Sequence, residues 1–214
     1  MAKASILRTG ATLAAIAAIC TALVAFTYDL TSERIAANEQ AWLEQSLVPA
    51  LSGLSYDNRI IESKKTIPAP HELPGAEDAL VYRAYDDGVP VAALFVVNAR
   101  DGYSGPIRLL VGIDANGRVS GVDVLSHRET PGLGDLVESS KSSWLQQFDG
   151  RSLGDPVSSG WAIRRDGGDF DQLTGASVTP RAIVKAVRRT LEYFAANRDA
   201  VFAAPADDTT GGSE

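Results

Sequence analysis

The chain has 214 residues, a length that allows one sizeable hydrophobic core together with an appended segment. Its formal net charge of −7 and its lack of a long basic run exclude the electrostatic signature of a nucleic-acid-binding protein. One cysteine and two histidines exclude an intramolecular disulfide, a cysteine-ligated iron–sulfur cluster, a paired-cysteine haem attachment and a multi-histidine metal site.

An uncharged apolar segment, residues 9–28, lies near the N-terminus and is long enough to cross a membrane as a helix. Lys3 and Arg8 precede this segment, and Asp29 follows it. The positive-inside rule therefore predicts that residues 1–8 are cytoplasmic and that everything after the helix is outside. A cleaved signal peptide is the alternative. The length of the run and the lack of a small-x-small cleavage site favour an uncleaved anchor.

Residues 29–76 are expected to connect this anchor to a folded domain. The apolar pattern stays helical from Thr31 to about Leu51, so this stretch either extends the membrane helix or forms a separate amphipathic helix. Residues 52–76 are rich in Pro and Gly and predict an irregular, solvated connection.

A folded domain is expected over residues 77–204, and it begins with four strand-like runs. These runs are rich in Val, Leu and Tyr, and Asp-Gly or Asn-Gly pairs separate them. They are residues 79–85, 89–98, 107–113 and 119–126. The pattern predicts a mainly antiparallel sheet flanked by helices, which is an α+β fold.

The C-terminal third predicts a short helix, one more strand and a long final helix. Residues 141–148 have helical spacing, and residues 161–165 have the pattern of a strand. Thr179 is a suitable N-cap and Pro180 a suitable first residue for the last helix, of about 20 residues. Its apolar stripe comprises Ile183, Val184, Val187, Leu191 and Phe194. The acidic, glycine-rich tail, residues 205–214, is expected to be disordered.

Two loops carry the residues that suggest chemistry. In the first, Thr174 to Ser177 are small and mostly polar residues at the start of the last helix, where free N–H groups favour a phosphate. A plain helix cap is the alternative for this loop. In the second, His127 stands close to Glu129, and the two could form an acid–base pair. A polar turn leaving the sheet is the alternative there.

Three short motifs in this chain resemble those of one family. The sequence Asp171-x-x-Thr174-Gly175-Ala176-Ser177 resembles the flavinylation motif of the FMN-binding domain family, in which FMN is esterified through its phosphate to a hydroxyl side chain. Glu-Thr-Pro-Gly-Leu-Gly at 129–134 resembles a second signature of that family, and Gly-Tyr-Ser-Gly at 102–105 a third. The family includes the G subunits of Rnf (also called Rsx) electron-transport complexes and the C subunits of sodium-pumping quinone reductases. The sequence of residues 166–172 and the short length of the chain match the G subunits better than the C subunits of the quinone reductases.

The resemblance implies a cofactor site on these loops. Ser177 occupies the position of the FMN acceptor, which is more often Thr in the family, and Thr174 and Thr179 are the neighbouring alternatives. The resemblance implies no catalytic residue and no metal. The other residues that it places beside the cofactor are Thr174, Gly175, Ala176, Val178, Thr179, Glu129, Thr130, Gly132 and Leu133.

The resemblance further implies a membrane-anchored flavoprotein that relays electrons within an ion-translocating oxidoreductase complex, rather than a stand-alone enzyme. Such a complex couples ferredoxin and NAD redox chemistry to ion transport. The implied partners are the other membrane subunits and a flavin transferase that attaches FMN. The implied location is the bacterial inner membrane, crossed once, with the C-terminal domain in the periplasm. The alternative is a flavin-free anchored scaffold or assembly subunit, which would not need the Ser177 nucleophile.

Overall fold

The computed structural model describes the backbone of residues 2–51 and 53–203, and the side chains of residues 8–32, 34, 46–51 and 53–203. The predicted tail, residues 205–214, lies outside the described residues. The chain divides into two compact units, residues 1–43 and residues 44–214.

A single long helix, α1 (Ala2–Ala50), begins in the first unit. Its stretch Arg8–Ser32 has 25 residues, is predominantly apolar and has exposed apolar side chains. By length and composition this stretch can cross a membrane, which confirms the predicted N-terminal apolar helix. Because α1 continues to Ala50, the helical pattern after Thr31 extends the same helix and does not form a separate one.

The second unit is built on an antiparallel sheet of five strands in the order of the sequence. The strands are β1 (Lys64–Ile67), β2 (Ala79–Asp86), β3 (Val89–Ala99), β4 (Ile107–Asp114) and β5 (Val119–Ser126). The four predicted strands are confirmed to within one residue at their ends. The expectation of an irregular connection over 52–76 is wrong for β1 and for a 3₁₀ helix at Ile60–Ser63. β1 is a four-residue edge strand with two lysines, a composition that protects sheet edges but gives little strand signal.

The last helix, α2 (Val178–Phe202), covers one face of the sheet. Its apolar stripe is buried, and Phe194 packs edge-to-face on Phe95 of β3 with ring centroids 6.2 Å apart. The predicted stripe is therefore the face that forms the core. The predicted N-cap is wrong, because the helix begins at Val178 and Ser177 occupies the cap position.

The opposite face of the sheet receives the C-terminal end of α1 at two glycines. A Cβ on Gly121 would lie 2.9 Å from the Ala50 Cα, and one on Gly112 would lie 2.8 Å from the Ala50 carbonyl oxygen. Ser120 Oγ donates to that same carbonyl at 2.6 Å. The helix end can approach β4 and β5 this closely because neither glycine has a side chain.

The segment between β5 and α2 contains short 3₁₀ helices at Gly134–Val137, Trp144–Phe148, Ser158–Gly160 and Arg164–Asp166. The predicted helix at 141–148 is thus a 3₁₀ turn. The predicted strand at 161–165 is wrong. Trp161 joins Phe148 and Phe170 in an aromatic cluster, and Ile163 makes only an isolated bridge to Phe170. Alternating buried residues here fill the core beside the sheet instead of extending it.

The C-terminal end of α2 is held by a buried cation from the sheet. Arg83 is 5 % exposed, and it donates from Nε to the Ser63 carbonyl at 3.1 Å and from Nη1 to the Ala203 carbonyl at 2.7 Å. Lys65 Nζ donates to the Ala200 carbonyl at 2.5 Å. The bonds to Ala200 and Ala203 satisfy carbonyls at the end of the helix and stabilise the negative end of its dipole.

Replacing Arg83 with Met should therefore lower the free energy of unfolding by about 2–3 kcal/mol, because a buried charged donor and its hydrogen bonds to two carbonyls are lost. Urea unfolding of the detergent-solubilised chain, followed by tryptophan fluorescence, measures this loss. Arg118→Met is the matched control. Arg118 is exposed and also donates to a carbonyl, that of Gly150, so its loss should cost less than about 0.5 kcal/mol. Equal effects of the two substitutions would contradict the role assigned to Arg83.

Candidate functional site

Three loops meet at the N-terminal end of α2, and they are the three motif segments of the sequence, residues 102–105, 129–134 and 174–177. Gly175 has a left-handed φ of 84°, and a Cβ there would lie 3.1 Å from Leu133 Cδ2. The second and third segments are therefore in contact at position 175, where glycine is favoured because it adopts a positive φ and has no side chain to meet Leu133. The structure thus brings together motifs that are about 70 residues apart in the chain.

Glu129 is the common contact of these loops. Its side chain is buried, at 5 % exposure, and its Oε2 accepts a hydrogen bond from the hydroxyl of Thr179, which is fully buried in the first turn of α2. Its Oε1 accepts from the Ser104 backbone N–H at 3.1 Å. One carboxyl group therefore ties the first and second segments to the helix that follows the third. We call this arrangement the Glu129 clasp.

Two glycines make room for the Glu129 clasp. A Cβ on Gly134 would lie 2.9 Å from Glu129 Oε2 and 3.1 Å from the Thr179 hydroxyl oxygen. A Cβ on Gly102 would lie 3.1 Å from Glu129 Oε1 and 2.2 Å from the Gly105 carbonyl oxygen. Side chains at these positions would displace the carboxyl group or the turn that it holds. Packing around Glu129 therefore explains Gly102 of the first motif and Gly134 of the second.

Ser177 stands at the N-cap of α2 with its side chain partly exposed. Its hydroxyl makes no capping bond to the helix, and its Oγ instead accepts a hydrogen bond from Arg165 Nη1 at 3.1 Å. The first N–H groups of an α-helix have no intrahelical partner, so they remain able to bind an anion beside this hydroxyl. Thr174 is exposed, whereas the burial of Thr179 removes its hydroxyl from solvent.

Two ion pairs involve the 3₁₀ helix Arg164–Asp166, which carries Arg165. Arg164 pairs with Asp171 at 2.9 Å, and Arg181 makes two hydrogen bonds to Asp166, one of them 2.7 Å from Nη2 to Oδ1. The hydrogen bonds from Arg181 hold the pKa of the Asp166 carboxyl below its usual value. Both pairs fix the short turn that carries Arg165.

His127 does not form an acid–base pair with the Glu129 carboxyl. Its Nδ1 accepts the Glu129 backbone N–H at 3.0 Å, so its Nε2 carries the proton and donates to Glu138 Oε1 at 2.9 Å. Lys141 donates to Glu138 at 2.6 Å and to Asp135 at 2.8 Å, and these bonds lower the pKa values of both carboxyl groups. This network supports the base of the 129–134 loop.

The start of the third segment is tethered to the 3₁₀ helix Trp144–Phe148. Trp144 Nε1 donates to the Asp171 carbonyl at 2.8 Å, and the Asp171 N–H donates to Gln147 Oε1 at 2.7 Å. Asp171 is therefore held by its backbone while its exposed carboxylate faces Arg164. Sequence reasoning missed Arg164, Arg165 and Gln147. The two arginines fall in a run with the pattern of a strand, and the contact of Gln147 depends on distant folding.

The surface next to Ser177 combines apolar and cationic groups. Thr130, Gly132, Leu133 and Val178 are exposed on it, and Tyr103 is exposed on the first segment. A hydroxyl nucleophile, a guanidinium and free helix N–H groups suit a phosphate, and exposed apolar side chains suit a planar ring. The donor set of this chain therefore fits FMN, as the resemblance implies.

Comparison with known proteins gives two family matches. The family model described as FMN-binding domain matches residues 102–192, and the one described as RnfG N-terminal region matches residues 1–48. Relatives named as the G subunit of an ion-translocating oxidoreductase complex include a Pseudomonas aeruginosa protein, 44 % identical over 94 % of both chains. One from Shewanella loihica is 43 % identical over 96 % of this chain and 97 % of its own. One from Vibrio parahaemolyticus is 40 % identical over 94 % of this chain and 95 % of its own.

Proposed function

Since the chain belongs to the family of G subunits of ion-translocating oxidoreductase complexes, we propose that it is the component that carries covalent FMN in such a complex. Its FMN-binding domain match spans the Glu129 clasp and Ser177. The observation that carries the proposal is the Ser177 hydroxyl, which is partly exposed, bound to no helix N–H and next to a guanidinium.

FMN is held in this proposal through a phosphoester to Ser177 Oγ. The helix N–H groups and Arg165 bind the remaining phosphate charge, and Gly175 and Ala176 allow the loop to approach it closely. Thr130, Gly132, Leu133 and Val178 line the exposed surface beside it, where the ring can pack. Glu129 and Thr179 are buried beneath this surface and hold the loops together through their hydrogen bond.

The isoalloxazine ring supplies the electron-transfer chemistry, and the protein supplies its position and electrostatic surroundings. No consumed substrate is required, because the protein receives electrons from one membrane partner and passes them to another. We infer that the whole complex couples ferredoxin and NAD redox chemistry to ion movement. A covalent link is useful for a carrier outside the cytoplasm, since a dissociated flavin would be lost from the complex.

FMN attachment requires a separate flavin transferase, since the sequence has no nucleotide-binding motif with which the chain could flavinylate itself. Intact-mass measurement of the full chain, co-expressed with such a transferase, tests the proposal. The expected result is a mass increase equal to one FMN less one water, with the modified peptide containing Ser177. A chain without any flavin under these conditions would overturn the carrier function and favour the scaffold alternative.

The domain after α1 is proposed to lie in the periplasm, with the apolar stretch Arg8–Ser32 in the inner membrane. A reporter enzyme that works only outside the cytoplasm should be active when it is fused after Asn98, and one that works only in the cytoplasm should be inactive there. A reporter fused before Arg8 provides the control and should give the opposite result. Cytoplasmic activity of the fusion after Asn98 would contradict the topology.

A further inference from the structure

Arg165 is the side chain that contacts the proposed acceptor hydroxyl. It lies in the 3₁₀ helix Arg164–Asp166, which ends at Gly167 with a left-handed φ of 87°. The next residue, Gly168, is pressed against the Ala162 carbonyl, which a Cβ would approach to 2.0 Å. This tight turn fixes the backbone beside Arg165, and the guanidinium reaches Ser177 Oγ at 3.1 Å.

Arg165 also differs from its neighbours in charge pairing. Arg164 and Arg181 are each paired with an aspartate, Asp171 and Asp166 respectively. Among the side chains that the structure describes, no carboxylate lies within ion-pair distance of Arg165. Its charge is therefore available to an anion that arrives at Ser177.

We propose that Arg165 is a positioning residue for flavin attachment, which orients the Ser177 hydroxyl and afterwards pairs with the phosphodiester anion. This inference rests on the proposed function. A guanidinium presents several N–H donors in one plane and matches phosphate oxygens better than a single ammonium group does. Because Ser177 Oγ is the acceptor of the bond from Arg165, the hydroxyl proton is not used in that bond and can pass to a base.

The attachment step is a phosphoryl transfer without oxidation or reduction. The Ser177 Oγ–phosphorus bond forms while the phosphoanhydride bond of an activated flavin dinucleotide breaks, and a nucleoside monophosphate leaves. The hydroxyl proton passes to a base of the transferase. The Arg165 guanidinium offsets the negative charge that develops on the phosphate.

Two substitutions of Arg165 distinguish the effect of its charge from that of its planar donor group. Arg165→Gln keeps hydrogen-bond donors but removes the charge, and the rate of FMN attachment should fall about tenfold or more. Arg165→Lys restores the charge without the planar fork, and its rate should lie between those of Gln and wild type. Arg188→Gln is the matched control. Arg188 lies on α2, pairs with Glu192 at 2.9 Å and makes no contact with Ser177, so the rate should not change.

The experiment uses the full chain in detergent, purified transferase and FAD, with the extent of attachment followed over time by intact mass. Near-ultraviolet circular dichroism of each unmodified variant verifies that the domain is folded. Phosphorus NMR of the flavin-loaded chains provides a second readout. The resonance of the attached phosphate should differ between wild type and Arg165→Gln when folded, and should coincide once both are unfolded in urea.

An attachment rate and a phosphorus resonance in Arg165→Gln that both equal those of wild type would overturn this inference and leave the flavin carrier function intact. Failure of the wild-type chain to acquire FMN would instead overturn the proposed function, and this inference with it. Slow FMN attachment in Arg165→Gln, together with a partly restored attachment rate in Arg165→Lys, supports the positioning role.

Discussion

Replacing Ser177 with Ala should leave the protein without covalent flavin. The two neighbouring hydroxyls are poor substitutes, because Thr179 is buried and bound to Glu129, and Thr174 lies outside the contact with Arg165. The expected loss is complete on a denaturing gel viewed under ultraviolet light. Intact mass of the same sample should show the unmodified chain alone.

The same substitution should hardly change the stability of the domain. Removing a serine that caps a helix typically costs about 1 kcal/mol, but Ser177 makes no capping bond. The loss should therefore stay under about 0.5 kcal/mol, as is typical of a surface substitution. Urea unfolding measured beside the gel distinguishes loss of the nucleophile from loss of the fold.

Two further variants determine whether Ser177 is the acceptor. Ser177→Thr keeps the nucleophile and introduces the residue more usual in the family, so it should be labelled at least as well as wild type. Thr174→Ala should retain the label. A fluorescent Ser177→Ala band would contradict the residue assignment, and peptide mass spectrometry would then identify the true acceptor.

The strands of this fold were predictable because their signals are local. Alternating apolar residues and Asp-Gly or Asn-Gly turns fixed the limits of β2 to β5. Trp161 to Arg165 has the same alternation but lies in a segment that packs by aromatic contacts, which sequence periodicity cannot distinguish from strand pairing. β1 was missed because its pairing with β2 is a long-range contact of a short, charged segment.

The motifs of the site were recognisable in the sequence, but the contacts between their side chains were not. The family resemblance of the motifs implied a common cofactor site on the 129–134 and 174–177 loops. It could not indicate that Glu129 would contact Thr179 and Ser104 from inside the protein. Thr179 fitted an N-cap by position, but burial and a nearby carboxylate gave its hydroxyl another partner. The pairing of Ser177 with Arg165 depends on a tight turn whose conformation Gly167 and Gly168 determine.

The Glu129 clasp provides the second large effect that we expect. Glu129→Ala removes the acceptor of the buried Thr179 hydroxyl, and an unsatisfied buried donor costs about 1–3 kcal/mol. It also removes the hydrogen bond from the Ser104 N–H, which contributes about 1 kcal/mol. The free energy of unfolding should therefore fall by roughly 2–4 kcal/mol. Flavin attachment should also slow at temperatures where the domain is still folded, because the three loops lose their shared anchor.

A double-mutant cycle isolates the bond at the centre of the clasp. Thr179→Val keeps the shape of the side chain and removes its hydroxyl, so combining it with Glu129→Ala should cost less than the sum of the two single changes. The difference, the coupling energy, should be about 1–2 kcal/mol. Glu192→Ala is the control, since Glu192 is an exposed partner of Arg188 on α2 and its loss should cost less than about 1 kcal/mol.

The coupling energy also shows whether the second motif and the start of α2 stabilise one common structure. A value near 1–2 kcal/mol means that the Glu of the second motif and the threonine after the third stabilise one structure, so that either loss loosens the surface on which Ser177 stands. Additive effects of Glu129→Ala and Thr179→Val in urea unfolding would contradict the clasp. Ser177 would then depend on its own loop and the tether of Asp171 to Trp144 and Gln147.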